Sequence, residues 1–304
     1  MRHEEASEPA TGLSVCIVNW NTRELLRACL ESIAAQRGEL QLQVIVVDNA
    51  SGDGSAEMVR EAFPWVELLA NPDNRFYAAG NNQALRAARM PRLLLLNSDI
   101  VVPPGALAAL VQWMAGRPQA GAVAPRLVYP DGRLQRSCRS FPSPDTVWWE
   151  VLGLSRLLPR SRTFGKYKMT WWDYGADRQV DQPMASALLL RKAALDQVGL
   201  FDEGFPMFFN DVDLCRRLVD RGWEVWYTPT VTMTHHHGGS TRLVRREMIA
   251  ESGRSFRRYY EKHYRGRTSR PLYWLTTGML RVVYALRYAL ARRPRTEVRP
   301  ASED

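Results

Sequence analysis

The first apolar run of the chain, Leu13–Trp20 (LSVCIVNW), is short, rich in β-branched residues and bounded by Gly12 and Asn21. That pattern predicts a strand buried on both faces. Behind it, Thr22–Gln36 sets Leu25, Leu26, Cys29, Leu30 and Ile33 at three- and four-residue steps after a capping threonine, which predicts a helix. Leu42–Val47 predicts a second strand, Ser55–Phe63 a helix, Val66–Leu69 a short third strand and Asn81–Arg89 another helix. Arg92–Leu96 predicts a fourth strand ending in Asn97-Ser98-Asp99, and Gly105–Met114 a helix after Pro103-Pro104. Strand alternating with helix at this spacing implies right-handed βαβ units: an α/β fold on an open, mostly parallel sheet.

From Pro125 to Asp181 the periodicity gives way to Pro130-Asp131-Gly132, Pro142, Pro144 and the pairs Trp148-Trp149 and Trp171-Trp172, read as irregular insertion. Regular pattern returns with a strand at Ser186–Leu190, a helix at Ala193–Val198, a helix from near Asn210 and a late strand at Trp223–Tyr227. Beyond His235 the chain reads as helical and basic. There Leu272, Leu275, Met279, Val282, Val283, Leu286 and Leu290 form one apolar face, punctuated by Arg281, Arg287, Arg292 and Arg293. The length would span a bilayer, but internal arginines cost about 2.5–3.5 kcal/mol each near its centre. The segment therefore reads as a basic amphipathic helix lying on an anionic membrane surface. Packing on the body or on a second subunit, as in a homodimer, is the alternative.

Composition excludes a disordered or collagen-like chain, since hydrophobic residues make up 45% and charged residues 24% of the 304 positions. The net charge of +9 is localised: residues 242–304 hold 16 basic against 6 acidic side chains, so the remaining body is close to neutral. No nucleic-acid-binding motif accompanies that tail, and nucleic acid is not an expected partner. Four scattered cysteines without C-x-x-C spacing, and a polar acidic start without an apolar leader core, point to a reducing, cytoplasmic setting. The expected organisation is a disordered N-terminus over 1–12, a globular body over 13–241 with halves meeting near 124, and a basic helical segment over 242–304.

Ligands of an open parallel sheet bind outside the carboxyl ends of its strands. Those ends carry Asn19 and Asn21, then Asp48, Asn49 and Ser51, then Asn97 and Asp99, so residues from three strands converge on one rim. Neither G-x-G-x-x-G nor G-x-x-x-x-G-K-[ST] is present, which argues against a dehydrogenase or a P-loop NTPase. Bound phosphates would then need a divalent metal, Mg²⁺ or Mn²⁺, on Asp99. In the second cluster, Phe205–Thr241, Asn210 is the expected N-cap, with Asp211 and Asp213 in the first helical turn. Phe208-Phe209 supply apolar bulk that makes a neighbouring carboxylate a better base. Of the triple His235-His236-His237, at most one or two can serve one ion from a strand.

Taken together, SVCIVNWNTRELLRACLESI, VIVVDNASGDGS, LLLLNSD and FFNDVDLCRRLVDRGWEVWYTP with HHHGGS resemble the family 2 glycosyltransferases, and within them the bacterial rhamnosyltransferase-like branch. The resemblance covers roughly residues 13–240. It implies a glycosyltransferase A-type fold, a Rossmann-like half joined to an acceptor half, and inverting, metal-dependent transfer of a single sugar from a nucleotide-sugar. By resemblance Val18, Asn19 and Asn21 would line the base pocket, and Asp48 and Asn49 would meet the nucleoside. Asn74 and Asn82 would bracket the loop over the donor. Asn97 and Ser98 would approach the diphosphate, Asp99 and His235 the metal, and Asp211 would be the catalytic base with Asp213 as runner-up. Three positions depart from the family: Asn97 replaces the first aspartate of D-x-D, Asn210 the usual glutamate, and Phe76 a common glycine. The Q-x-x-R-W motif of processive synthases is absent. The implied donor is deoxythymidine-diphosphate rhamnose, with a uridine-linked galactofuranose or other hexose as alternative. The implied acceptor is a glycan or lipid-linked glycan of the cell envelope, which would place the enzyme peripherally on the inner membrane face. A non-catalytic membrane-binding protein is the competing class.

Overall fold

In a computed structural model, which describes residues 12–38, 40–236 and 245–291, the first predicted strand is β1, Gly12–Asn19. It is followed by α1 (Arg23–Ala34), β2 (Gln41–Asp48), α2 (Ser55–Ala62), β3 (Glu67–Ala70), α3 (Phe76–Ala87), β4 (Arg92–Asn97), β5 (Ile100–Val101) and α4 (Ala106–Ala115). Next come β6 (Ala120–Val128), β7 (Leu134–Gln135), β8 (Cys138–Arg139), α5 (Pro144–Val151), α6 (Leu154–Leu157), β9 (Arg178–Gln179), β10 (Gln182–Pro183) and β11 (Ala187–Arg191). The chain continues through α7 (Lys192–Val198), α8 (Asn210–Asp220), β12 (Glu224–His235), α9 (Arg245–His263) and α10 (Arg270–Leu290).

The central sheet runs β3-β2-β1-β4-β11-β6-β12-β5, with β7 added to β6 and β9 to β12. β3, β2, β1 and β4 are mutually parallel, and β11 enters antiparallel to both β4 and β6. Leu13, Val15 and Ile17 of β1 join Leu26, Leu30 and Ile33 of α1 and Leu107 and Leu110 of α4 in one core on one face. Cys16, Ile45, Leu93 and Leu95, on the opposite face of the strands, are equally buried, as parallel strands covered on both sides require. All four cysteines are buried and free.

Three sequence expectations change. The segment from Pro125 is not wholly irregular, because β6 extends through it to Val128 and α5 and α6 follow. Proline cannot donate to a ladder, and the partner strand accommodates it. The β12 register slips between Thr228, which faces Pro125, and Thr232, which faces Arg126. The late strand therefore does not stop at Tyr227 but resumes beyond Pro229 and ends on His235. The third helix begins at Phe76 rather than Asn81, because Asn74 Oδ1 accepts the Phe76 N–H at 2.8 Å and starts it early.

The chain divides into two compact units, Met1–Ser240 and Thr241–Asp304. In the second, α9 and α10 pack on each other: the Ser252 hydroxyl lies 3.1 Å from Tyr284 Oη, and Phe256 meets the same ring. Among the described residues no helix is long and apolar enough to cross a membrane. Of the N-terminus expected to be disordered over 1–12, Gly12 instead opens β1, and residues 1–11 lie outside the described residues, as do His237, Arg292 and Arg293.

Candidate functional site

Strand register brings the predicted residues together. Asn19 pairs with Asp48 across β1 and β2, and Val18 with Asn97 across β1 and β4, so three strand ends finish level with one another. Asn19 Nδ2 donates to Asp48 Oδ2 at 2.9 Å, and the Ser51 N–H donates to Asp48 Oδ1 at 2.9 Å. Thr22 Oγ1 donates to Asn19 Oδ1 at 2.6 Å and lies 2.8 Å from Ser98 Oγ, tying the first strand end to the fourth. Thr22 thus occupies the N-cap position of α1 while its hydroxyl serves the site. Asn21 Oδ1 accepts the Gly52 N–H at 2.8 Å and holds the second loop against the first.

Asn49 is buried, donating to the Phe76 carbonyl at 3.1 Å and accepting from Asn71 at 2.9 Å, so it anchors the loop that carries Asn74. Gly80 lets α3 settle onto this corner, since an added Cβ would lie 3.0 Å from Val18 and 3.3 Å from Asn49. The Asn82 amide donates to the Phe201 carbonyl and to Glu203, and accepts from the Phe201 N–H, so it locks α3 to residues 201–203. Asn21 is exposed and Val18, Asn74 and Asn97 are half-buried, which leaves these side chains accessible to a ligand.

Four non-glycine residues around these ends are left-handed: Asn21 (φ 53°), Ala50 (59°), Phe76 (60°) and Phe209 (65°). Phe76 takes this conformation at the position where the resemblance expects glycine. Such backbone strain, roughly 1–2 kcal/mol per residue, collects at sites where surrounding structure fixes an unusual path.

Asp99 follows β4 and is fixed from the far side of the sheet. Its carbonyl accepts the His236 N–H at 3.0 Å, and its Oδ1 lies 3.1 Å from His235 Nε2. The Nδ1 of His235 lies 2.7 Å from Gln135 Oε1. A carboxylate oxygen and an imidazole nitrogen this close form a donor pair that fits a divalent cation with its other positions open to further oxygen ligands. Among the described residues no group of three His, Cys, Asp or Glu side chains gathers around one such position.

Asp211 lies in the first turn of α8, its Oδ1 accepting the Val212 N–H at 2.8 Å and its Oδ2 the Ala185 N–H at 3.4 Å. The Tyr77 hydroxyl donates to the Ala185 carbonyl at 2.8 Å, so the Tyr77 ring and the Asp211 carboxylate both meet the turn between β10 and β11. Desolvation in these surroundings pushes the Asp211 carboxyl above the usual carboxylate range, against the lowering effect of the backbone N–H groups around it. Its neighbour takes another role. Asp213 is fully buried and accepts from Arg217 Nε at 2.8 Å, while that guanidinium also donates to the carbonyls of Gly199 and Leu200. The runner-up base is thus a structural ion pair. Asn210 is not the N-cap; Phe209 is, and the Asn210 amide donates to the Phe205 carbonyl at 3.2 Å.

Sequence reasoning did not single out Gln135, Tyr77 or the Thr22–Ser98 contact. Asp131-Gly132, read from sequence as part of an irregular insertion, is the turn residue pair of a hairpin, but the contact of Gln135 with a histidine 100 residues away has no local signal.

The sequence profile described as Glycosyl transferase family 2 matches residues 14–175, a little over half of the chain. The chain is 28% identical over 293 residues to the N-acetylglucosaminyl-diphospho-decaprenol L-rhamnosyltransferase of Mycobacterium tuberculosis, covering 88% of this chain and 90% of that protein. It is 29% identical over 235 residues to the O-antigen biosynthesis protein RfbC of Myxococcus xanthus, covering 72% of this chain and 17% of that protein. Among solved structures it resembles the mannosyltransferase PcManGT of Pyrobaculum calidifontis in complex with GDP-Man and Mn²⁺, with a TM-score of 0.56 and 18% identity, over 93% of this chain and 76% of that one. GalNAc-T7 with UDP, GalNAc and Mn²⁺ superposes with a TM-score of 0.58 at 13% identity, over 83% of this chain and 48% of that one. These likenesses establish the glycosyltransferase A-type fold, and the profile match establishes that the chain belongs to glycosyl transferase family 2 and is a glycosyltransferase.

Proposed function

We propose that the protein transfers one rhamnose, with inversion, from deoxythymidine-diphosphate rhamnose to a lipid-linked glycan at a membrane surface. The observation that carries the reading is the placement of a desolvated carboxylate, Asp211, and the Asp99–His235 pair in the first compact unit, whose strand ends converge on one rim. The rhamnosyl donor and polyprenyl-linked acceptor are supported by the extent of the match to the mycobacterial rhamnosyltransferase. A uridine-linked hexose is the alternative donor.

Val18, Asn19, Asn21, Asp48 and Asn49 would frame the nucleoside, and Asn74, Asn97 and Ser98 the sugar diphosphate. Asp99 and His235 would hold Mg²⁺ or Mn²⁺, which supplies charge stabilisation to the departing diphosphate. Asp211 accepts the proton of the acceptor hydroxyl as its oxygen bonds to the anomeric carbon from the face opposite the diphosphate. The bond from that carbon to the diphosphate breaks as the new one forms. A nucleoside diphosphate leaves as a weak base, so no side chain need protonate it.

The apolar face of α10 supports the membrane part of the reading. Leu275, Val282 and Leu286 are 60%, 59% and 57% exposed, and Arg270, Arg281 and Arg287 are exposed on the same helix. An apolar stripe with interspersed arginines suits the interface of an anionic bilayer. The deciding assay incubates the protein with Mn²⁺, a panel of nucleotide-sugars and a polyprenyl-diphosphate-linked N-acetylglucosamine analogue, and follows nucleoside diphosphate release and product mass. Turnover with the rhamnosyl donor is expected; turnover confined to a uridine donor overturns the donor assignment, and none with any donor overturns the reading.

A further inference from the structure

We infer that Gln135 is a positioning residue of the metal site: it holds the proton of His235 on Nδ1, so that the Nε2 lone pair faces the cation position beside Asp99. The inference rests on the metal reading of Asp99 and His235.

The hairpin that carries Gln135 turns at Pro130-Asp131-Gly132. Gly132 is left-handed (φ 79°), its N–H donates to the Tyr129 carbonyl at 2.9 Å, and the Tyr129 N–H donates to the Arg133 carbonyl at 2.9 Å. Asp131 Oδ1 accepts the Arg133 N–H at 3.0 Å. This tight hairpin fixes the register of β7 on β6, setting Leu134 against Val128 and Gln135 against Leu127. On its other side β6 sets Leu127 against Met233 of β12. Side chains alternate across a strand, so Gln135, Leu127 and Met233 lie in one row, and His235, two residues past Met233, projects from the same face.

That register brings Gln135 Oε1 to 2.7 Å from His235 Nδ1, with the two residues only 4% and 2% exposed. An amide oxygen only accepts, so the proton of this contact belongs to Nδ1. In the neutral ring the other nitrogen, Nε2, then carries the lone pair, and it faces Asp99 Oδ1 at 3.1 Å. A proton or a metal ion can sit between these two atoms; a bound metal ion displaces the proton from Nε2 while the one on Nδ1 stays hydrogen-bonded to Gln135, which is the arrangement a metal-ligating histidine and its outer hydrogen-bond partner require. The hairpin therefore places a ligand-orienting group beside His235 from a segment 100 residues away in the chain.

The test uses the full chain and Mn²⁺, titrated by electron paramagnetic resonance in the presence of a nucleoside diphosphate, with melting temperature recorded for each variant. Gln135→Met keeps the side-chain length without the acceptor and is expected to weaken Mn²⁺ by about 10–100-fold. Gln135→Glu retains an acceptor and is expected to stay within about threefold of the wild type. Wild-type affinity in Gln135→Met, while Asp99→Ala loses binding, overturns this inference alone. Equal losses in the methionine and glutamate variants mark Gln135 as packing and likewise overturn it. A wild type that binds Mn²⁺ no better than Asp99→Ala overturns the metal reading and the inference with it. Nitrogen-15 spectra of the Mg²⁺-loaded wild type supply a check that needs no variant: a proton on Nδ1 of His235 supports the inference, and a proton on Nε2 refutes it.

Discussion

Replacing Asp211 by asparagine separates the chemistry of the site from its architecture. The amide oxygen can keep the Val212 N–H bond of 2.8 Å, while the contact from Ala185, at 3.4 Å, is already long. Losing that second bond costs at most about 0.5–1.5 kcal/mol. Against it, the substitution removes a carboxylate that desolvation holds above its ordinary range. An acid with a raised folded pKa makes the unfolded chain the one with fewer bound protons between the two values, so ionising Asp211 lowers stability as pH rises from about 4. The amide variant escapes that loss. Its melting temperature should equal or exceed that of the wild type at pH 7, and the difference should vanish or reverse near pH 3. Transfer should nevertheless fall by about 10²–10⁴-fold, or roughly 2.7–5.4 kcal/mol of barrier, with nucleotide affinity unchanged. Steady-state release of nucleoside diphosphate, thermal melts at both pH values and calorimetric nucleotide binding read all three quantities. Turnover within about tenfold of wild type would refute the base assignment. A melting temperature that drops at pH 7 would refute the account of the carboxylate as desolvated.

Asp213→Asn should do the reverse, costing about 3 kcal/mol because it breaks a buried pair with Arg217, while turnover measured below the melt stays near wild type; transfer lost at unchanged stability would move the base to Asp213. Chelation should abolish transfer, and Asp99→Ala should weaken a nucleoside diphosphate more than the nucleoside in calorimetric titrations; equal activity with and without chelator would exclude the metal role. Replacing the exposed Leu275, Val282 and Leu286 together by glutamine should weaken sedimentation with anionic liposomes by about 100-fold, at roughly 1 kcal/mol of partial burial each, and leave transfer to a soluble acceptor analogue intact. Unchanged liposome binding at low salt would show that this face serves another partner.

The alternation of β-branched runs with helical periodicity determined the strands β1 to β4 and the helices between them, because each of these elements buries its own apolar pattern locally. The polar strand ends were legible for the same reason: a residue that ends a buried strand and is neither apolar nor glycine stands out in the sequence. Period and propensity could not resolve β6, whose glycine and proline at Gly121 and Pro125 argue against a strand until β12 is seen to slip its register opposite the proline. Nor could they divide the work between Asp211 and Asp213, two identical side chains in one helical turn. Only the fold buries one against Arg217 and leaves the other beside Ala185. The same holds for Asn82, Gln135 and the facing of His235 on Asp99: each is decided by sheet register or by a contact between segments roughly a hundred residues apart. Local pattern specifies which surface an element buries, whereas the partner that meets a polar side chain is set by the order and register in which the elements pack.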